Sequence, residues 1–557
     1  MRPIFLIFIT MKHQILEGNI VDIHNRDIYF GRLEIMDSTI ISIQRLDAIV
    51  PQAPYIAPGL VDSHVHIESS MLVPSVFSEL VIPCGTVGVV CDPHEIANVM
   101  GVEGVEFMMN DARQSSLNFY FGVPSCVPAT SFENNGGIID AKAVESLFQK
   151  GAYFLAEMMN FPGVLNHDQD VWRKIEIAKH YNRPIDGHAP GLIGEALVQY
   201  IGAGITTDHE CSTIEEAVQR INMGMFVQIR EGSAARNFNQ LHSLLNSHPS
   251  KVMLCTDDSH PDDIVEKGHI DKIVRMALGC GISIYDIYQA ALINPVLHYH
   301  LEVGMLRVGD RADFIIVDNL ADFNIQSTYI NGAALFEYGK INFSANPSSC
   351  INKFTEPYVG IDQLRVLTQL ANPIVKVIDL KDGELLTGQF LWESTPFEGI
   401  INSSVEMDVA KIVVVNRYQK SKPAVGFVRG FGLKGGAFGA TIAHDSHNVV
   451  VVGVDDTDIF RVIGQLFEHK GGIAAYCDGL VEVLPLPVAG LMSNEKGSVV
   501  ASKYAGLNRF VSKYCQTQLQ APFMALSFLS LLVIPSLKIG DQGLFDVNRF
   551  CFVDLIS

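Results

Sequence analysis

Between residues 59 and 258 the chain repeats one rhythm. Short apolar, β-rich runs alternate with longer stretches of helical period. The runs are GLVDSHVH (59–66), TVGVVCD (86–92), NFYFGVPS (118–125), AYFLAEMM (152–159), RPIDGHA (183–189), GITTDHE (204–210), MFVQIRE (225–231) and KVMLCTDD (251–258). They start roughly 20–35 residues apart, with GVEGVEFMMNDAR, DVWRKIEIAKHY, IGEALVQYI and TIEEAVQRINM as amphipathic helices between them. Strand and helix repeated eight times close into a parallel barrel. The predicted fold class is therefore α/β, a (β/α)8 TIM-like barrel over 59–299.

The flanks of this block alternate polar and apolar residues, as half-buried strands do. GNIVDIHNRDIYFGRLEIMDSTIISIQRL (18–46) precedes it and GMLRVGDRADFIIVDNL (304–320) follows it. Segments 12–58 and 300–345 are expected to pair into one small β-sandwich beside the barrel. After about residue 355 glycine becomes denser, as in GFVRGFGLKGGAFGATIAHDSHNVVVVGVDD (426–456). Residues 355–557 are read as an additional C-terminal α+β domain. A chain of 557 residues accommodates all three units.

Charge and cysteine usage narrow the partners. A formal net charge of −21 disfavours nucleic acid and anionic membranes, and leaves a neutral or weakly basic small molecule unopposed. Ten cysteines occur without a CxxC pair, which reads as reduced thiols in a cytoplasmic protein. The apolar run Ile4–Ile9 is short and lacks a small-residue cleavage site, so no signal peptide is expected, and Met11 serves equally well as a start. FMALSFLSLLVI (523–534) is too short to span a bilayer and is expected to be a core strand or helix.

In barrels of this kind the site lies at the C-terminal strand ends. The first strand ends in His64 and His66, two apart and therefore on one face. Asp92, His94 and Glu95 follow the second strand, Glu157 lies on the fourth and His188 on the fifth. Asp208, His209 and Glu210 end the sixth, Arg230 and Glu231 the seventh, Asp257 and Asp258 the eighth. Four histidines with several carboxylates suit two divalent transition ions. Two such ions sharing a hydroxide provide a nucleophile at neutral pH, and Glu157 is placed to bridge them.

Taken singly, these residues have plainer readings. His66 alone reads as a core histidine, His188 as a turn residue, and CTDDSHPDD as a capped helix start. Glu157 alone is harder to set aside, because an unpaired buried carboxylate is costly. Their coincidence at strand ends favours the metal reading. His94 and Glu95 read as orienting groups, substrate contacts or a solvated helix start. Arg230 and Glu231 reach the substrate or pair with each other. AHDSHN (443–448) covers the barrel mouth, binds another ion or forms a surface turn.

PGLVDSHVHIESS resembles the first-strand metal motif of the amidohydrolase superfamily. DSHVHIESSM, CDPHEIANVMG, AEMMNFPGV, DGHAPGL, TDHECST, REGSAARN, LCTDDSHPDDI and IAHDSHN together resemble the bacterial-type adenine deaminase family, over nearly the whole chain. The resemblance implies hydrolysis of adenine to hypoxanthine and ammonia in purine salvage, at a binuclear Mn2+ or Fe2+ site. It assigns His64, His66, Glu157 and Asp257 to one ion and Glu157, His188 and His209 to the other, with Glu157 where relatives use a carboxylated lysine. Asp257 rather than Asp258 follows the motif position. Asp257 is the expected proton carrier, with Glu95 the second catalytic residue, and His94, Arg230 and Asp258 are expected at the substrate. The same machinery serves other nucleobases or cyclic amides, and a non-catalytic homologue is the remaining alternative. A homo-oligomer is expected, with neither nucleic acid nor membrane as partner.

Overall fold

A computed structural model describes residues 13–233, 235–355 and 359–556. The apolar run Ile4–Ile9 and Met11 lie outside these residues. Eight parallel strands form the barrel. They are β1 (Leu60–His66), β2 (Thr86–Cys91), β3 (Asn118–Val123), β4 (Phe154–Met158), β5 (Ile185–Gly187), β6 (Thr207–Asp208), β7 (Phe226–Arg230) and β8 (Val252–Cys255), the last resuming after Thr256 as Asp257–Asp258. One ladder runs from Asp257–Asp258 through β1 to β5, and a second joins β6, β7 and β8. The eighth strand belongs to both and so closes the ring: Asp257 lies opposite Val65 and Asp258 opposite His66. On the far side Thr206 N donates to Ile185 O at 2.9 Å, bridging β5 and β6.

β1 is buried along its whole length, as a parallel strand covered on both faces must be. The helices start where the sequence supplies caps. Asp168 accepts from the backbone N–H of Val171, and Thr213 from that of Glu216. All four stretches read as amphipathic helices are helical, as Val102–Ala112, Gln169–His180, Gly194–Gly202 and Ile214–Asn222.

Both flanks enter one eight-stranded sheet. Its seam is Tyr55–Pro58, parallel to His13–Asp22 and antiparallel to Phe314–Val317. The sheet curls back on itself, because Ile40 N donates to Asp310 O at 3.0 Å and Ala312 N to Ser38 O at 2.8 Å. Ile20, Leu33, Ile35, Ile40, Ile56 and Phe314 fill the space between. Within 304–320 only Phe314–Val317 is a strand. The stretch before it turns on Asp310, whose carboxylate accepts from the N–H groups of Met305 and Arg307, so its alternating pattern does not extend into a ladder.

Beyond the barrel a mixed eight-stranded sheet carries the helices Asp456–Glu468 and Gly497–Phe510. The glycine density has a packing cause there. A Cβ on Gly439 would stand 2.6 Å from Val450 O, so the strand Ala437–Ala440 needs a bare backbone at that point. This region sits on the C-terminal rim of the barrel. Ser493 N donates to Met71 O at 2.7 Å, and Asn134 donates to the Asp541 carboxylate through its backbone N–H and its side chain. Segment 523–534 opens with the helix Pro522–Ser527, and Phe523, Leu526 and Leu529 are buried in the core. Among the described residues no helix is long and apolar enough to cross a membrane. All ten cysteines are unpaired.

Candidate active site

The rim is built around Glu157, on the fully buried strand β4. Its Oε1 lies 3.3 Å from His66 Nε2 and 3.6 Å from His94 Nδ1. Its Oε2 lies 2.7 Å from His188 Nδ1 and 3.3 Å from His209 Nε2. One carboxylate thus separates two sets of imidazoles. On the first side His66 Nε2 also stands 3.1 Å from His64 Nε2 and 3.2 Å from Asp257 Oδ1. On the second, His188 Nδ1 and His209 Nε2 are 3.3 Å apart.

These atoms fit cations. His66 uses Nδ1 on the Asp92 carbonyl at 3.1 Å, which fixes its proton there and leaves the Nε2 lone pair facing His64, Glu157 and Asp257. Lone pairs converging at such distances repel unless a cation or protons lie between them. The local field favours positive charge. Burial favours the neutral imidazole of His209, yet Glu157 and Glu210 overcome it and push its pKa up to about 10. Burial raises the Glu157 carboxyl, but His188, His209 and His66 outweigh it and hold it well below the usual carboxylate range. Ligand atoms of Glu157, His188 and His209 all lie within 4.8 Å of one another, as do those of His64, His209 and Asp257. Either group could hold a divalent ion.

Asp257 owes its aim to the backbone. Its φ of 55° lies in the left-handed region, splitting β8 after Thr256. Asp62 sets that turn. It accepts from Thr256 N at 3.1 Å and from His64 N at 3.2 Å, and stands 3.1 Å from His269 Nε2, tying β1 to β8. Asp62 lies inside β1 and not at its end, so the strand-end pattern does not point to it, although a carboxylate in an apolar strand signals a buried partner. Asp257 Oδ2 accepts from Arg230 Nη1 at 2.7 Å. Burial raises the Asp257 carboxyl, but Arg230 and the imidazoles of His64 and His66 bring it well below its ordinary value.

The remaining strand-end groups divide. Arg230 forks onto Glu210 at 2.6 and 3.0 Å and does not pair with Glu231. Glu210 is drawn into the site, with Oε1 3.5 Å from His188 Nδ1 and 3.4 Å from His209 Nε2. Two members of the strand-end set turn away from the mouth. Glu231 faces Lys272 and accepts from Phe238 N, and Asp208 accepts from Arg220 Nε at 2.7 Å. Arg220 is itself fully buried and donates to Ala189 O at 2.7 Å, so it pins the strand ends that carry His188 and His209. His94 stands 3.2 Å from Asp92 and 3.5 Å from Glu95. Asp258 accepts from Ser69 Oγ.

The segment 443–448 is buried, not a surface turn, and lies against the barrel mouth. His444 Nδ1 is 2.6 Å from Glu95 Oε1, and His447 Nε2 bonds Glu95 Oε2. Between this segment and the rim is a small cavity. Ser69, Asp258 and His260 line it on the barrel side, with Tyr504, Phe523 and Phe528 opposite.

Residues 55–335 match the model of the amidohydrolase family, and residues 384–551 that of the adenine deaminase C-terminal domain. The chain is 49% identical over 551 residues to an adenine deaminase of Methanosarcina mazei, covering 97% of this chain and 99% of that protein. It is 46% identical over 541 residues to an adenine deaminase of Salinibacter ruber, covering 97% and 98%. A β-aspartyl dipeptidase of Fervidobacterium islandicum superposes with a TM-score of 0.45 at 16% identity, covering 60% of this chain and 99% of that one.

Proposed function

The chain belongs to the adenine deaminase family of the amidohydrolases, and from that premise we propose how it hydrolyses adenine to hypoxanthine and ammonia. The observation that carries the site assignment is Glu157, one carboxylate shared by two groups of imidazoles. In this reading His64, His66, Glu157 and Asp257 would hold one divalent ion, and Glu157, His188 and His209 would hold the other. Such a pair lowers the pKa of water and supplies a nucleophile at neutral pH. The mix of imidazole and carboxylate suits Mn2+ or Fe2+.

Asp257 moves the protons. It takes one from the attacking water and delivers it to N1 of the ring, which makes C6 electrophilic. It then carries the second water proton to the amine, which leaves as ammonia while the oxygen becomes the C6 carbonyl. Arg230 holds Oδ2 and so turns Oδ1 toward His64 and His66, the side from which the attacking water is expected. Glu95 and His94 face the ring from the β2 side, and Asp258 from β8. The small cavity that Asp258 shares with Ser69, His260 and His444 adjoins this position, and Tyr504, Phe523 and Phe528 give it aromatic walls.

Ten unpaired cysteines support a reducing, cytoplasmic setting, where the reaction would serve purine salvage. A homo-oligomer is the expected assembly. Ammonia release from adenine, guanine, cytosine and a dihydropyrimidine tests the substrate. Adenine is expected to exceed the others by at least about 100-fold in kcat/KM, since bases lacking its edge leave buried polar groups unpaired. A faster reaction with another base would replace adenine as the substrate.

A further inference from the structure

We propose that segment 443–448 of the C-terminal domain completes the active site, with His444 and His447 as positioning residues that hold Glu95 toward the substrate. The proposal rests on the adenine-deaminating reading above. Glu95 lies in the first turn of the helix His94–Met100, just after β2, and is 3% exposed. Both of its oxygens are taken by imidazoles about 350 positions away in the chain, His444 on Oε1 and His447 on Oε2. A free glutamate samples several rotamers, and one held at both oxygens keeps a single orientation.

The three groups lie close enough to suggest a cation between them. The tautomer of His447 argues for a carboxylate clamp instead. Its Nδ1 accepts from Ala443 N at 3.2 Å, so Nε2 carries the ring proton and donates to Glu95. A metal ligand would need that Nε2 lone pair free.

The segment is itself anchored to the barrel. Ser446 Oγ donates to Glu133 Oε1 at 2.9 Å, and Asn448 Nδ2 to Asn134 O at 2.9 Å. Within the C-terminal domain Tyr418 OH donates to Ser446 O at 2.6 Å, and the His444 ring stacks on Phe528 with centroids 4.5 Å apart. From Glu95 the contacts run on to His94 at 3.5 Å and from His94 to Glu157 at 3.6 Å. The C-terminal domain is thereby connected, group by group, to the carboxylate at the centre of the site.

Kinetics on adenine, with metal analysis of each purified protein, test the proposal. His447→Phe is expected to lower kcat/KM by roughly 10–100-fold, the usual effect of removing an outer hydrogen-bond partner, with metal per chain as in the wild type. His447→Gln is expected to restore most of it, because the glutamine amide donates from near the imidazole Nε2 position. In a Glu95→Gln background His447→Phe is expected to add little, since both act through one carboxylate. Losses that multiply in the double variant, a metal equivalent lost with His447→Phe, or a glutamine no better than phenylalanine would overturn it. Should His447→Phe not fold, His444→Leu against His444→Asn makes the same comparison at Oε1. A wild type inactive on adenine removes the underlying reading, whereas an active wild type matched by His447→Phe removes this proposal alone.

Discussion

Asp257→Asn is expected to fold normally and to lose about 10³-fold in turnover of adenine, within the range that a positioned acid–base group contributes. The fold should survive for two reasons. Asparagine tolerates the left-handed backbone that φ of 55° requires at this position. Arg230 keeps its fork on Glu210, so no buried guanidinium is left without a partner. What disappears is the one carboxylate that stands against His64 and His66 and can take a proton and return it. Ammonia release at saturating adenine, compared with thermal unfolding of the same sample, measures both halves. Near-native turnover in a folded variant would move the proton chemistry to another group, with Glu95 next in line.

Glu157→Gln is expected to go further and to empty the metal pair. The glutamine amide presents a donor where the site needs an acceptor. Either the His66 side or the His188 and His209 side would then meet an N–H in place of an oxygen. The amide also lacks the negative charge that lets two cations sit close together. Loss of metal affinity should exceed the about 10–100-fold that follows disturbance of an outer partner. Metal content of the purified variant reads this directly, without reference to activity. Full occupancy by two ions would show that Glu157 does not bridge them.

Much of this site was legible in the chain because strands and barrels obey simple geometry. The two-residue spacing of His64 and His66 places both on one face, and β8 indeed brings Asp257 beside them. The rhythm of the strands located Glu157, His188 and His209 at one mouth for the same reason. What escaped depends on contacts that spacing does not encode. Asp208 stands at a strand end like the others, yet a buried Arg220 twelve residues on claims it. Asp62 organises both β1 and β8, but its partners Thr256 and His269 lie about 200 residues away. The grip of His444 and His447 on Glu95 spans two regions of the chain, and only the docking of one on the other creates it. The stretch 304–313 alternates like a strand but is held in a turn by Asp310, where local hydrogen bonds outweigh the pattern.

In the proposed mechanism these histidines and acids grip two cations that adenine deamination requires. Titrating metal-free protein with Mn2+, while following ammonia release from adenine, tests it most directly. The expected result is negligible activity without metal and a rise that levels off at two equivalents per chain. Full activity in the metal-free protein, or a plateau at one equivalent, would contradict it.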